Sequence, residues 1–394
     1  MFPPEVRRYG GMTAEFKATS QHIPVELLKK ISFRLEGHWA PDSKEENEKI
    51  FVAEKATEIL PETESEVCKF LMRNCSSLGK TMGSHIVERF GMNTLDVCAH
   101  HCKQLFDIPR SMMPELLPCD GVFGETTIGG IFNKPITIAG VLGDSHGALT
   151  GQMCFEEGLG KATYGTGSSV MVNIGEKAAA APDGLVTSIG FAALGKVFYA
   201  FEGNIHSTGA TLKWLQEQLK MIVSPAEVEK EATSVEDNGG VYFVPAFAGL
   251  GAPWWNDCVK AAVMGMTFAT TRAHFLRAAL ESIAYQVNDL VKAMTVKAGI
   301  NLKEIRVDGG PTKNNFLMQF QADCLRVPVN RSDVEEASAL GAVVMNGLSR
   351  KVWNSFEEVA KLRHSKGRIE AQDNKAWIDK NIEGWHNAVK QLIK

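Results

Sequence analysis

The segment that decides the fold is 161-KATYGTGSSVMVNIG-175. Two runs rich in β-forming residues, Ala162–Tyr164 and Val170–Asn173, flank the compact stretch Gly165–Ser169. This pattern predicts a β-hairpin whose turn carries two glycines and three hydroxyl side chains. Backbone amides in such a turn can point into a concavity and bind an anion, but a plain hairpin turn would have the same composition. What the turn does therefore depends on what the rest of the chain places around it.

The composition of the 394-residue chain is that of an ordinary soluble globular protein, with 44% hydrophobic and 22% charged residues. Its net charge of −4, without a basic patch or tail, argues against a nucleic-acid or membrane partner. We find no apolar run of membrane-spanning length and no signal-peptide segment at the N-terminus. The eight cysteines are scattered along the chain, so we expect reduced thiols and a cytoplasmic location.

The texture of the sequence changes near residue 93. Residues 1–93 are mostly polar and charged, and helical runs at Pro24–Leu35, Glu45–Leu60 and Glu64–Phe90 predict a mainly helical region without a chemical motif. From residue 94 onward, predicted strands alternate with predicted helices, which indicates an α/β architecture. The chain is long enough for two or three domains.

Several elements of the α/β part can be placed from the pattern. Pro135–Gly143 is predicted as a buried strand that opens into a loop, and Thr271–Gly299 as a long helix with Thr271 as its N-cap. Ser338–Leu348 is predicted as a helix whose small residues allow close packing. The last 40 residues are predicted as two amphipathic helices.

Asp144 follows the predicted strand, directly after Gly143, in the segment 140-GVLGDSHGAL-149. A carboxylate at the end of a strand faces a cleft in most α/β sheets, where it can accept a proton from a bound hydroxyl. The alternative, that Asp144 only caps the helix that follows, is equally open from the residues alone.

A second glycine-containing segment, 306-RVDGGPTKNN-315, is predicted as a strand, a turn and the start of a helix. Gly309 and Gly310 would let a flat or anionic ligand approach the backbone and the helix N-terminus. Asn314 lies about one helical turn further on, from where its side chain could reach a base or a ribose. The alternative is a tight strand-to-helix turn that binds nothing.

Six segments, taken together and in this order, resemble the FGGY carbohydrate kinases and look most like the glycerol kinase branch. They are Leu105–Leu116, Gly140–Gly175, Gly209–Leu219, Tyr242–Trp255, Arg277–Leu290 and Arg306–Leu325. Each segment alone is a weak signal, whereas six in collinear order are specific. The resemblance covers roughly residues 94–350.

The resemblance implies two actin-like (RNase H-like) domains with ATP and the acceptor in the cleft between them. On this basis residues 94–148 are the remnant of the family's N-terminal domain, 149–394 are its C-terminal actin-like domain, and 1–93 stay unassigned. The implied reaction is the ATP-dependent phosphorylation of a hydroxyl group of glycerol or a related polyol or sugar. Mg²⁺ is implied to accompany the ATP.

The resemblance also implies roles for single residues. Asp144 matches the catalytic base that takes the proton from the acceptor hydroxyl, and Asp144 and Ser145 match positions that contact the acceptor. The positions that match nucleotide-binding residues are Gly165, Thr166, Gly167, Gly209, Lys213, Gly309, Gly310 and Asn314. Within this set, Thr166 is implied to lie near the β- and γ-phosphates, and Gly310 and Asn314 near the adenosine.

The sequence also departs from the family. We find neither a first phosphate loop of the type D-x-G-T-T nor the substrate-gripping Arg–Glu pair and Tyr of the N-terminal domain. Ser145 stands where glycerol kinases usually carry Gln, and Lys213 stands where the branch often has Gln or Ile. These differences leave the identity of the acceptor open and question whether the chain alone is an active enzyme.

Two functions therefore stay open. In the first, the chain is an FGGY kinase or the C-terminal half of one. In the second, it is a non-catalytic actin-like nucleotide-binding module. Two protein partners also stay open, a second copy of the chain and a separate N-terminal lobe that completes the site.

One cysteine cluster invites a metal interpretation. Cys98 and Cys102 are four residues apart on a predicted helix, with His101 beside them. A structural zinc site needs a further pair of ligands, which the sequence does not offer at a suitable spacing. No protein metal site is predicted.

Overall fold

The computed structural model describes residues 116–394 except Asp183, Lys297 and Lys394, and the backbone of four short strands earlier in the chain. The chain divides into two compact units, Met1–Leu116 and Leu117–Lys394. The division of the family domains at residues 148 and 149 stays a prediction.

The four strands of the first unit form one sheet in the order β2-β1-β4-β3. They are β1 (Glu5–Val6), β2 (Phe16–Lys17), β3 (Leu35–Ala40) and β4 (Ile50–Ala56). Because β4 lies inside 45–60, the helix predicted there is wrong, and a mainly helical region is contradicted at this point. The β-branched and aromatic run at 50–52 pairs antiparallel with β3, which outweighs the helical pattern of the charged residues around it.

Other predictions for the first unit lie outside the described residues. These are the helix at Glu64–Phe90 and the candidate metal cluster of Cys98, His101 and Cys102. The helix at Pro24–Leu35 also lies outside them, apart from its last residue, which begins β3.

The second unit alternates strands and helices, so the predicted α/β class is confirmed. Its strands are β5 (Val122–Thr126), β6 (Ile136–Ala139), β7 (Leu159–Tyr164), β8 (Ser168–Gly175), β9 (Val186–Ala193), β10 (Lys196–Ile205), β11 (Tyr242–Val244), β12 (Ala262–Met264), β13 (Glu304–Asp308), β14 (Val329–Ser332) and β15 (Ser365–Ile369). Its helices are α1 (Asp144–Gly151), α2 (Gly209–Glu217), α3 (Pro225–Ala232), α4 (Arg272–Thr295), α5 (Asn315–Leu325), α6 (Ala337–Ser349), α7 (Phe356–Ala360) and α8 (Lys375–Ile393), and a 3₁₀ turn spans Gly310–Lys313. None of the helices in the described part of the chain is both long and apolar enough to cross a membrane.

Seven strands form the central sheet in the order β15-β14-β13-β7-β8-β10-β9. Strands β7, β13 and β14 run parallel to one another, and the remaining neighbours pair antiparallel. Strands β7 and β8 form the predicted hairpin, with Tyr164 opposite Ser168 at its closed end. The parallel neighbour β13 ends beside the same turn. Both predicted glycine loops therefore lie at the same end of the central strands.

Each face of the sheet carries its own hydrophobic core. Because side chains alternate along a strand, Val170 and Val172 of β8 face one side while Met171 faces the other. The valines pack into the larger core with α4, α5 and α8. Met171 packs into a smaller core that includes Leu149 of α1 and Val344 of α6. Helix α1 is thus held on the sheet face opposite the long helix α4.

Helices α1 and α6 are in backbone contact. An added Cβ on Gly147 would lie 2.7 Å from the carbonyl oxygen of Ser338, and one on Gly341 would overlap the carbonyl oxygen of Gly147. The close packing predicted for the small-residue helix is confirmed. It fixes the helix whose first residue is Asp144.

Two predictions near this region are corrected. The segment at Pro135–Gly143 contains strand β6, but it is not buried, because Ile136 and Ile138 are 44% and 41% exposed in a two-stranded sheet with β5. The C-terminal segment contains β15 between α7 and α8, where only helices were predicted. A short, charged, glycine-containing run is a weak strand signal, and here it forms the sheet edge next to β14.

Candidate active site

A cavity of about 560 Å³ opens beside the turn between β7 and β8. Five residues predicted to bind nucleotide line it, namely Gly165, Thr166, Gly209, Lys213 and Gly310. They come from three segments far apart in the sequence. The fold therefore gathers most of the predicted nucleotide contacts around one opening.

The hairpin turn is fastened to the start of helix α2 by backbone hydrogen bonds. The amides of Thr208 and Ala210 donate to the carbonyl oxygen of Thr166 at 2.9 and 3.0 Å, and the Gly209 amide donates to Gly165 at 3.0 Å. The carbonyl groups of the turn thus satisfy amides that a helix N-terminus leaves unpaired. A ligand in the cavity would consequently meet both the turn and the first residues of α2, whose leading amides are already paired.

The turn keeps its own donors at the surface. The Gly165 amide donates to the Gly167 carbonyl at 2.8 Å, which closes the turn. In the part of the chain that the structure describes, no hydrogen bond uses the amides of Thr166 or Gly167. Thr166 is exposed and adds a hydroxyl group. Two adjacent amides and a hydroxyl on a preorganised turn are donors suited to an anion.

The contact between the end of β13 and the hairpin turn requires glycine at position 309. Gly309 has a φ of +96° and packs against the carbonyl oxygen of Tyr164, so it does not line the cavity but brings β13 close to the turn. Gly310, by contrast, has no atom within 4 Å of where a Cβ would stand, and it faces the cavity.

Asn314, which was also predicted to bind nucleotide, does not line the cavity. Its side-chain oxygen accepts from the Leu317 amide at 2.8 Å and so caps helix α5. Gly167 and Asn314 do not belong to the residues that line this cavity. The capping of α5 is the physical role that the structure gives to the Asn314 side chain.

Asp144 is the first residue of α1 and is exposed. The extended residue before it, Gly143, occupies the N-cap position, so Asp144 is the first helical residue and not the N-cap itself. One carboxylate oxygen, Oδ1, accepts from the Ser145 amide at 2.6 Å, and the Asp144 carbonyl accepts from Ser338 Oγ at 2.8 Å. The carboxylate is thereby oriented while it stays open to a ligand.

Ser145 turns its hydroxyl group inward. Its Oγ lies 3.1 Å from Ser169 Oγ on β8, three residues beyond Thr166. This contact links the first turn of α1 to the strand that leaves the hairpin turn. The Ser145 side chain thus contacts the sheet, and its amide contacts Asp144.

A buried lysine that the sequence analysis missed lies beneath this contact. Lys161 is 0% exposed, and its Nζ donates to Ser169 Oγ at 2.8 Å. The sequence did contain a signal for this residue, a single lysine within the otherwise uncharged segment 159-LGKATY-164. A lysine in a buried strand is almost always paired, so its position indicates a polar partner nearby.

The electrostatics beneath the site centre on this ammonium group. Burial lowers the pKa of Lys161 to about 8, and the carboxylates of Asp308, Glu202 and Asp144 oppose that shift. Burial also raises the pKa of Asp308, against hydrogen bonds from Gln152 and Thr163 and the charge of Lys161. Gln152 Nε2 donates to Asp308 Oδ2 at 2.7 Å. One buried cation therefore faces several carboxylates directly below the site.

The donors at the turn fit the phosphates of a nucleotide. A magnesium site built by protein alone has no counterpart among the described residues, because no group of three or more His, Cys, Asp or Glu side chains there could hold a metal ion. Mg²⁺ commonly binds through substrate phosphates with one or two carboxylates. Asp144, an exposed carboxylate, is the kind of group that would bind such an ion together with phosphates.

Comparisons with known proteins give consistent matches. Residues 160–349 match the family described as "FGGY family of carbohydrate kinases, C-terminal domain". Glycerol kinase 1 of Clostridium tetani is 48% identical over 290 residues, which are 74% of this chain and 58% of that protein. Glycerol kinase of Bacillus subtilis is 45% identical over 289 residues, covering 73% and 58%. The chain thus spans about 58% of the length of the curated relatives that it matches.

Solved structures agree. The glycerol kinase of Plasmodium falciparum with ADP has a TM-score of 0.69 at 37% identity, over 75% of this chain and 59% of that one. The xylulose kinase of Rhodospirillum rubrum has a TM-score of 0.63 at 22% identity, over 73% and 59%, which supports the fold alone. These matches confirm the resemblance and the actin-like fold expected from the sequence.

Proposed function

We propose that this chain, whose residues 160–349 match the C-terminal domain of the FGGY family of carbohydrate kinases, takes part in the ATP-dependent phosphorylation of a hydroxyl group on glycerol or a related polyol or sugar. The observation that carries the proposal is the cavity beside the hairpin turn. Five sequence-predicted nucleotide contacts line it, and the turn that borders it connects through Ser169 and Ser145 to Asp144.

In the proposed reaction, Thr166 and the amides of the turn hold the terminal phosphates of ATP. Asp144 accepts the proton of the acceptor hydroxyl as its oxygen forms a bond to the γ-phosphorus and the bond from that phosphorus to the β–γ bridging oxygen breaks. The products are ADP and the phosphorylated acceptor, and Asp144 returns its proton to water. Such transfer depends on positioning and on stabilising charge on phosphate oxygens. Mg²⁺, when bound with ATP, supplies further neutralisation of that charge.

The remaining assignments follow from the same proposal. Gly209, Lys213 and Gly310 line the nucleotide cavity, and Gly165, Gly167 and Gly309 shape its turn. Ser145 lies beside the acceptor through its position next to Asp144. Asn314 supports the adenosine side by capping α5.

Completion of the site is part of the proposal. Kinases that close two lobes over their ligands need both lobes. We propose that the second unit acts together with a further lobe, either an N-terminal lobe or one from a second copy of the chain. We place it in the cytoplasm, where the described cysteines, which are free thiols, would stay reduced.

The test is a coupled assay of ADP formation with the purified chain, against glycerol and a panel of polyols and pentuloses, with Asp144→Asn in parallel. Turnover that the variant loses supports the kinase and contradicts the non-catalytic module. ATP binding by calorimetry without turnover favours a nucleotide-holding half, and the assay is then repeated with the N-terminal lobe of a glycerol kinase added. Absence of ATP binding overturns the proposal.

A further inference from the structure

A continuous set of short contacts joins a buried ammonium group to the proposed catalytic carboxylate. Lys161 Nζ donates to Ser169 Oγ at 2.8 Å and to the Ser169 carbonyl oxygen at 3.2 Å. Ser169 Oγ lies 3.1 Å from Ser145 Oγ, and the Ser145 amide lies 2.6 Å from Asp144 Oδ1. The donor–acceptor distances along this set run from 2.6 to 3.2 Å.

The lysine itself cannot touch a ligand, because it is 0% exposed. A buried charge is unfavourable unless it is paired and hydrogen-bonded. Here the ammonium has hydrogen-bond acceptors on β7 and β8, Thr163 Oγ1 at 3.5 Å and the two oxygens of Ser169. It also faces the carboxylates of Asp308 and Glu202. Lys161 therefore lies beneath Ser169 and Ser145 and does not line the cavity.

The first turn of α1 is consequently fixed from two sides. On the sheet side, Ser145 contacts Ser169, which Lys161 holds. On the helix side, Ser338 of α6 donates to the Asp144 carbonyl at 2.8 Å. Removing the sheet-side anchor would leave the first turn of α1 held by Ser338 and by the packing of the rest of α1 against α6.

We propose that Lys161 is a positioning residue for phosphoryl transfer, which acts through Ser169 and Ser145 to hold the first turn of α1 and so the carboxylate of Asp144. This inference rests on the proposed role of Asp144 as the base. The lysine contributes orientation, because a base must lie within hydrogen-bonding reach of the proton that it accepts. A misplacement of the order of 1 Å costs about a hundredfold in rate.

The first test needs no turnover. Amide hydrogen exchange is followed by mass spectrometry on peptides that cover 140–150, in the wild type and in Lys161→Met, Ser145→Ala and the double variant. Lys303→Met is the matched control, since that lysine pairs with Glu156 at 2.9 Å at the surface. We expect exchange at 140–150 to rise by about tenfold in each single variant, and the double variant to match the singles because both act on one chain of contacts.

Three results would overturn the inference. Exchange at 140–150 in Lys161→Met could equal that of the control, the effects of the two substitutions could add, or exchange could rise equally throughout residues 117–393, which a general packing role would produce. If Lys161→Met does not fold, Ser169→Ala takes its place, because it removes the intermediate hydroxyl without emptying the buried lysine site.

The second test applies to the form in which turnover is measured. Lys161→Met should lower kcat by about a hundredfold and leave ATP affinity unchanged, and it should add little to Asp144→Asn. An equal loss in ATP affinity would contradict the inference. If the wild type shows no turnover in any form, the proposed function fails, whereas the exchange experiment still decides whether Lys161 holds the first turn of α1.

Discussion

Gly209 approaches Gly165 so closely that a Cβ on Gly209 would lie 2.6 Å from the Gly165 carbonyl oxygen. That carbonyl accepts the Gly209 amide at 3.0 Å, so the contact joins the hairpin turn to helix α2. Real Cβ atoms do not approach a carbonyl this closely, and neither backbone can move without breaking the other hydrogen bonds of the turn. The shape of the cavity beside the turn therefore depends on this glycine.

Gly209→Ala is expected to push α2 away from the turn. Two backbone hydrogen bonds of the turn would lengthen, and overpacking of this kind destabilises a fold by about 1–3 kcal/mol. We expect ATP affinity to fall at least about tenfold, which corresponds to about 1.4 kcal/mol. Calorimetric titration with ATP and chemical denaturation measure the two effects. An unchanged affinity would show that the contact does not shape the site.

Gly310→Ala separates ligand binding from folding. No atom lies within 4 Å of the position of its Cβ, and the residue lines the cavity. We expect the free energy of unfolding to change by less than about 0.5 kcal/mol, as for other substitutions into open space. ATP affinity should fall, because the new methyl group occupies the space of the nucleotide. Retained affinity would place the nucleotide away from Gly310.

The two glycine loops could be located from the sequence because each is marked by a local pattern, although Gly209 and Gly309 are required by contacts with distant residues. One pattern is a turn between two β-rich runs, and the other is a strand that ends in two glycines. Both loops are present where the sequence placed them, and they lie at the same end of neighbouring strands. The resemblance over collinear segments supplied the order of the elements. Predictions from the sequence match the structure where the interacting residues are close together in the chain.

Tertiary contacts account for what the sequence did not show. Lys161 was missed because its partners, Ser169, Glu202 and Asp308, become its neighbours only when four strands assemble into the sheet. The capping role of Asn314 and the exposure of β6 likewise depend on what packs nearby. The wrong helix at 45–60 has the same origin, since strand formation there depends on pairing with β3.

The depressed pKa of Lys161 gives stability a defined pH dependence. Its pKa is about 8 in the folded protein against 10.5 for an ordinary lysine. Between these values the unfolded chain holds a proton that the folded protein has released, so the free energy of unfolding rises with pH. We expect a rise of about 1.4 kcal/mol per pH unit at most from this group.

Other buried groups limit the window for that measurement. Burial raises the pKa of Cys154 from 9.0 to about 11, and this thiol acts in the opposite direction above pH 9. Denaturant unfolding of the wild type and Lys161→Met should therefore be compared between about pH 8 and pH 9. The wild type should gain stability relative to the variant across this interval. Parallel profiles would show that Lys161 does not titrate there.

Lys213 offers a test of charge at the cavity rim. It lines the cavity and pairs loosely with Glu217 at 3.8 Å, with exposed side-chain fractions of 70% and 52%. An exposed pair contributes about 0–1 kcal/mol to stability, so Lys213→Ala should leave unfolding nearly unchanged. ATP affinity should fall a few-fold, and its dependence on salt should weaken because one cation no longer faces the phosphates. Glu217→Ala, which removes only the competing carboxylate, should increase affinity, and equal losses in both variants would contradict this assignment.

The last prediction concerns the helix that carries Asp144. Gly341 of α6 lies against the carbonyl oxygen of Gly147 on α1, with no room for a Cβ between the helices. Gly341→Ala should displace α1 and destabilise the second unit by about 1–3 kcal/mol. Because the displaced helix begins at Asp144, turnover should fall further than ATP affinity, which depends on the hairpin turn. Ala339→Gly, at an exposed position on the same helix, is the control, because it measures the difference in helix propensity between Ala and Gly without the contact to α1. Calorimetry and the coupled assay on both variants measure the difference, and a parallel loss of binding and turnover in Gly341→Ala would mean that the contact supports the whole unit rather than the base.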